Sequence, residues 1–175
     1  MRTVFLTALL VAVLPACDFQ FSEGGDFECV AGATATGTID GRAFRADCVE
    51  ASVSADAVFV GAYQGYGEAD EDPAPGQPFS SFRLRVGAAT VGTYAIRATG
   101  ATTLDYLSSP GDDPEDRTTD LRADATSGEV VITRVTDEAV SGTFTFAGPG
   151  MRGDFDDPTP TGETVSGSCI FTVPR

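Results

Sequence analysis

Carboxylates gathered in two stretches are the groups in this sequence best placed to do chemistry. Asp112, Asp113, Glu115 and Asp116 stand in SSPGDDPEDRTT (108 to 119), and Asp154, Asp156 and Asp157 stand in GPGMRGDFDDPTPTGE (148 to 163). Several hard oxygens within one loop are what calcium takes, although neither stretch has the fixed spacing of an EF-hand. Two acids held at a set separation in a cleft are what carboxylate-only glycoside hydrolysis uses. The ordinary state of acids in Pro- and Gly-rich loops is solvation, so the expectation is no cofactor, with calcium the one candidate, and no enzyme, with a glycosidase the remaining alternative. The chain has no His and no Lys. Ser-His-Asp and Cys-His nucleophiles, Ser-Lys dyads, Schiff bases and phosphate-loop lysines are thereby excluded. Tyr63 and Tyr66, beside GEADEDPAPGQP (67 to 78), and Tyr106, beside the 108–119 loop, are candidate stacking groups for a glycan. Core or strand-edge packing is the commoner role of such rings.

The four cysteines carry a different chemistry. Behind Arg2, residues Thr3 to Leu14 are almost wholly apolar and end in Leu14-Pro15-Ala16-Cys17. That run is shorter than the ~20 residues a bilayer span needs, and it reads as a signal peptide. Its end resembles the bacterial lipobox, with Pro15 in place of the usual Ser, Thr or Ala. Residues 1–16 are therefore expected to be removed and Cys17 to become the lipidated first residue, a stable membrane anchor when several acyl chains act together. Asp18 resembles an inner-membrane retention signal, and the acids Glu23, Asp26 and Glu28 resemble surface-export signals. Anchoring in the outer membrane and on the periplasmic face of the inner membrane both stay open.

Cys29, Cys48 and Cys169 then remain in an oxidising compartment, where one disulfide and one spare thiol are expected. Strand alternation puts Cys48 on the side of Phe44 and Ala46, and Cys169 on the side of Phe171 and Val173, so both are expected to face the core. A Cys48–Cys169 bridge would close a loop of about 120 residues, worth up to ~4–5 kcal/mol. Pairing of Cys29 with either one is the alternative. A zinc site on these thiols lacks a fourth ligand.

Composition narrows the partners. The net charge is −15, from 26 acids against 11 bases. Such a charge repels nucleic acid and anionic lipid headgroups. Removing 16 residues from 175 leaves 159, enough for one domain with its own core. The boundaries expected are 1–16 for the signal peptide, 17–32 for a lipidated tether and 33–175 for a single domain.

The elements that would position these groups are strands throughout. TATGTIDGRAFRADC has Asp40-Gly41 between β-prone runs, a hairpin signal. AVFVGAYQ (57 to 64) reads as a buried strand, and FSSFRLRVG (79 to 87) alternates Phe82, Leu84 and Val86 with Arg83 and Arg85. VGTYAIRA, TDLRADA, SGEVVITRV, AVSGTFTFAG and SGSCIFTV follow, and the recurring Ser-Gly pairs read as strand entries. The fold expected is all-β, an antiparallel β-sandwich or flattened barrel of about eight to ten short strands.

The order GTIDGRAFRA, GTYAI, SGEVVIT, VSGTFTF, VSGSCIF over residues 34 to 173 resembles a family of small uncharacterised bacterial lipoproteins. The resemblance implies a lipid-anchored β-sandwich-like domain and supplies no catalytic residues. The function expected is a non-enzymatic binding or accessory module at the cell envelope, held to the membrane by Cys17 and facing an envelope protein or glycan. A structural envelope protein in a larger assembly is the second reading, and a calcium-dependent or carboxylate-based glycan-active protein the third.

Overall fold

Asp40 and Gly41 both take positive φ, 50° and 72°, the conformation whose twist matches a two-residue hairpin. They fold β1 (Thr34–Ile39) onto β2 (Arg42–Arg45), with Ile39 opposite Arg42 and Thr36 opposite Arg45. The computed structural model describes residues 29–65, 77–111, 120–153 and 158–175. Nine further strands follow: β3 (Cys48–Val53), β4 (Val58–Gln64), β5 (Phe79–Val86), β6 (Gly92–Ala95), β7 (Thr103–Ser109), β8 (Leu121–Asp124), β9 (Ser127–Val135), β10 (Ala139–Arg152) and β11 (Thr159–Pro174).

All eleven belong to one antiparallel sheet curled into a half-barrel. Its order is β2-β1-β11-β10-β8-β7-β5-β4-β3, and β9 pairs with β10 and β6 beside that path. The chain is all-β, as expected, but the strands are not uniformly short. β10 has 14 residues and β11 has 16, so 148–152 and 159–163, read as loop, are strand. β10 is long because it serves two neighbours on one edge, β9 through Val140–Ala147 and β8 through Gly150–Arg152.

Curling is what lets a single sheet bury an apolar face. β2 and β3 lie at opposite ends of the strand order, yet only Ala46 and Asp47 separate them. Ala46 N–H donates to the Ala35 carbonyl at 2.9 Å and Asp47 N–H to the Tyr63 carbonyl at 2.8 Å. The chain thus steps across the gap between the two ends, and the inner faces meet. One inner row runs Val49, Ala62, Phe82, Tyr106, Ala123. Another runs Phe44, Gly37, Cys169, Phe144, Val130, Tyr94. Phe82 joins them: its ring centroid is 5.4 Å from that of Phe44 and 4.8 Å, edge-on, from that of Phe144.

Two sequence expectations are corrected by this register. The step at Ala46–Asp47 resets the alternation, so Val49 enters the core cluster while Cys48 lies on the outer face, in register with Tyr63. Cys48 is bonded to Cys29, not to Cys169. Cys169 does face the core, as a buried free thiol opposite Gly37. Its surroundings push its pKa up to about 12 through loss of hydration. Cys29 is therefore not part of a loose tether, and Val30 N–H donates to the Val49 carbonyl at 2.8 Å. Residues 17–28, Cys17 among them, lie outside the described residues.

The Ser-Gly pairs are not all strand entries either. Gly142 and Gly167 fall inside β10 and β11, opposite Phe171 and Phe146. A Cβ would sit 2.9 Å from the Phe171 ring at the first and 2.6 Å from the Phe146 ring at the second. Each glycine makes room for a phenyl ring on the neighbouring strand.

Candidate functional site

Residues in direct register on neighbouring strands share one face of a sheet. Glu50, Gly61, Arg83, Asp105 and Asp124 are so aligned across β3, β4, β5, β7 and β8. Their chain neighbours Val49, Ala62, Phe82, Tyr106 and Ala123 fill the core, so the row lies on the outer face. Arg122 borders it two residues along β8, on the same outer face.

Gly61 is buried and gives the row its shape. A Cβ there would collide with the Glu50 carboxylate and come within 2.9 Å of the Tyr63 hydroxyl. Without one, Glu50 folds down over β4 and accepts a hydrogen bond from Tyr63 Oη. Burial raises the Tyr63 pKa first, and the bond and charge of Glu50 raise it further against the opposing pull of Arg83. Tyr63 is thus a buried phenol holding a carboxylate across two strands.

At the other end of the row, the Asp105 carboxyl is held above its ordinary range. Loss of hydration is the first cause and the like charge of Asp124 the second, while Arg83 and Arg122 pull the other way. Asp105 is nonetheless exposed to solvent. Its folded carboxyl titrates above its unfolded value near 3.8, so folding takes up a proton between the two values. The associated stability is full below the unfolded value and is lost as pH rises through the folded one. Asp105→Asn is therefore expected to raise the melting temperature at pH 7 and leave it unchanged at pH 3. Identical melts at both pH values would show that the carboxyl carries no such shift.

Chemically, the row and the neighbouring Arg122 present three carboxylates and two guanidiniums on an open wall. That suits charge-assisted hydrogen bonding to a polar partner. A glycosidase needs its raised acid enclosed with a second carboxylate, and Asp105 stands on the outer wall. Among the described residues no group of three or more metal-ligating side chains is arranged around a common point.

Of the residues singled out from sequence, Tyr63 and Tyr106 are 2% and 7% exposed, too enclosed to stack on a glycan. Tyr63 serves the Glu50 network, and Tyr106 packs against Phe146 with ring centroids 6.2 Å apart. Tyr66, Asp112, Asp113, Glu115, Asp116, Asp154, Asp156 and Asp157 lie outside the described residues. Sequence reasoning missed Glu50, Asp105 and Asp124 as a group. Outward alternation was visible for each strand, but which strands adjoin was not.

A family model, that of a domain of unknown function (DUF6252), matches residues 74–174, more than half of the chain. The chain belongs to the DUF6252 family. The DUF6252 match takes in β5 to β11, and with them Arg83, Asp105, Arg122 and Asp124, and leaves β1 to β4 with Glu50 and Tyr63 outside. The resemblance read from sequence began earlier, at residue 34. No curated protein and no solved structure matches the chain.

Proposed function

We propose that this DUF6252 protein is a lipid-anchored cell-envelope protein whose half-barrel acts as a non-enzymatic binding or accessory module. The observation that carries the reading is the Cys29–Cys48 disulfide. Structural disulfides persist in oxidising compartments outside the cytosol. The bond also ties the domain's first described residue to β3, twelve positions after Cys17. Twelve extended residues reach at most ~43 Å, so an acylated Cys17 would keep the half-barrel close to a membrane surface. The Glu50–Arg83–Asp105–Asp124 wall is the surface offered to a polar partner, an envelope protein or a glycan.

The test is fractionation of cells making the full chain, with intact-mass analysis of the membrane-bound form. The expected result is a membrane-bound chain that begins at Cys17 and carries acyl chains, with Cys17→Ala moving to the soluble fraction. A wild-type chain recovered soluble and unacylated would overturn the anchor.

A further inference from the structure

We infer that the free edge of β6 pairs with the same edge of a second copy of this chain, antiparallel about a two-fold axis at Thr93. β6 is paired with β9 on one side only. Ile96 N–H donates to the Gly128 carbonyl at 3.0 Å, which carries that ladder one step past Tyr94 opposite Val130. Backbone groups alternate sides along a strand, so Gly92, Tyr94 and Ile96 turn theirs to β9, and Thr93 and Ala95 turn theirs away. Among the described residues, nothing bonds the N–H and C=O of Thr93 or Ala95 on that far side. Both residues are exposed, and Val91 just before them is 62% exposed.

Sheet edges are ordinarily blunted by charge, by proline or by a covering segment. β2, at one end of the strand order, carries Arg42 and Arg45. β3, at the other end, carries Glu50 and is covered by Cys29 and Val30 through the disulfide and the bond to the Val49 carbonyl. β6 has none of these devices: from Gly87 to Ile96 the chain holds no charged residue and no proline. The 87–90 loop is held off the edge, because Ala89 packs against the core and the Thr90 carbonyl accepts from Tyr94 Oη at 2.8 Å under the inner face. The Tyr94 ring also lies over Gly92, where a Cβ would come within 3.1 Å of its hydroxyl. The inner side of β6 is thus closed within one copy. What stays open is backbone, and the complement of a row of N–H and C=O groups is another strand.

The residues of this edge match their own copy. An axis at Thr93 sets Thr93 opposite Thr93 of the second copy, a favourable cross-strand pair, and Val91 opposite Ala95, which covers the exposed valine. On the inner side it sets Gly92 opposite Tyr94, an aromatic ring beside a glycine. The open groups of Thr93 and Ala95 then enter closely spaced pairs, up to about six backbone hydrogen bonds in all. Two bodies of charge −15 repel each other least where an edge carries no charge. Joining β6 to β2 or β3 of another copy would be head-to-tail and leave an edge open at each end, whereas β6 on β6 closes as a dimer.

The experiment places single cysteines along β6 of the full chain, treats the cells that make it with a mild oxidant, and reads the product mass without reductant. Opposed residues in a closely spaced pair have Cα atoms about 5.5 Å apart, within reach of a disulfide. Thr93→Cys is therefore expected to give a reducible product of twice the chain mass, above the wild-type baseline. Ala95→Cys alone is expected to give none, because Val91 and not Ala95 faces it across the axis, and co-expression with Val91→Cys is expected to restore the product. Adding Ala95→Pro to Thr93→Cys removes an N–H that the β9 ladder does not use, and is expected to cut the product about tenfold. Absence of the product from Thr93→Cys, equal linking from Ala95→Cys alone, or an undiminished product in an Ala95→Pro chain that melts like its parent overturns the proposal. So does a product of any other mass, which would put a strand of another protein on this edge. None of these readouts depends on acylation of Cys17.

Discussion

Replacing Phe82 with Ala is expected to remove about 4 kcal/mol of stability, near the top of the range for core truncations. Phe82, on β5, is 1% exposed and is the ring that joins its half of the curl to the other, packing against Phe44 on β2 and Phe144 on β10. Its loss strips contacts between β5 and the opposite half, β2 above all, six places away in the strand order, and leaves a cavity that the hydrogen-bonded sheet cannot collapse to fill. With a urea slope of about 2 kcal/mol/M, the unfolding midpoint falls by about 2 M. A domain of typical stability, ~5–15 kcal/mol, then stands close to unfolding at ambient temperature. Phe82→Leu keeps most of the volume and is expected to cost under ~1.5 kcal/mol. Arg85→Ala, on the outer face of the same strand, should stay within ~0.5 kcal/mol. If Phe82→Ala lost no more than Arg85→Ala, the two halves would not be closing on each other through this ring.

Opening the Cys29–Cys48 disulfide is expected to cost about 3 kcal/mol. The sequence separation is 19 residues, and the chain-entropy model assigns a loop of that length ~3 kcal/mol. The bond pins the segment whose Val30 N–H feeds the edge strand β3, and it covers the Tyr63 side of the outer wall. Cys29→Ser with Cys48→Ser should therefore lower the midpoint by about as much as reducing the wild-type protein does. Cys169 supplies the internal check. Its thiol is buried and its pKa pushed up to about 12, so alkylation at residue 169 waits for unfolding even after Cys29 and Cys48 have become reactive. A wild-type melt indifferent to reductant would remove the disulfide from the stability of this domain.

What the sequence by itself determined was whatever depends on near neighbours or on missing residue types. Asp40-Gly41 turns because two adjacent residues accept positive φ. The alternation of Phe82, Leu84 and Val86 with Arg83 and Arg85 needs nothing beyond the period of a strand, and the all-β class follows from repeating that period. The absence of His and Lys excludes most nucleophilic chemistry in any fold. Tertiary structure decided what depends on which strands adjoin. Cys48 sits on the outer face because the chain breaks its alternation at Ala46–Asp47, a step made only because β2 and β3 meet when the sheet curls. Tyr63 could be read as a surface ring until Gly61 let Glu50 fold over it, and Gly142 and Gly167 looked like strand starts until Phe171 and Phe146 were found against them. The charged row is assembled from residues 74 positions apart, Glu50 to Asp124. Local pattern says that each of these side chains points outward. Only the register, set by the long-range burial of the aromatic core, says which of them stand together.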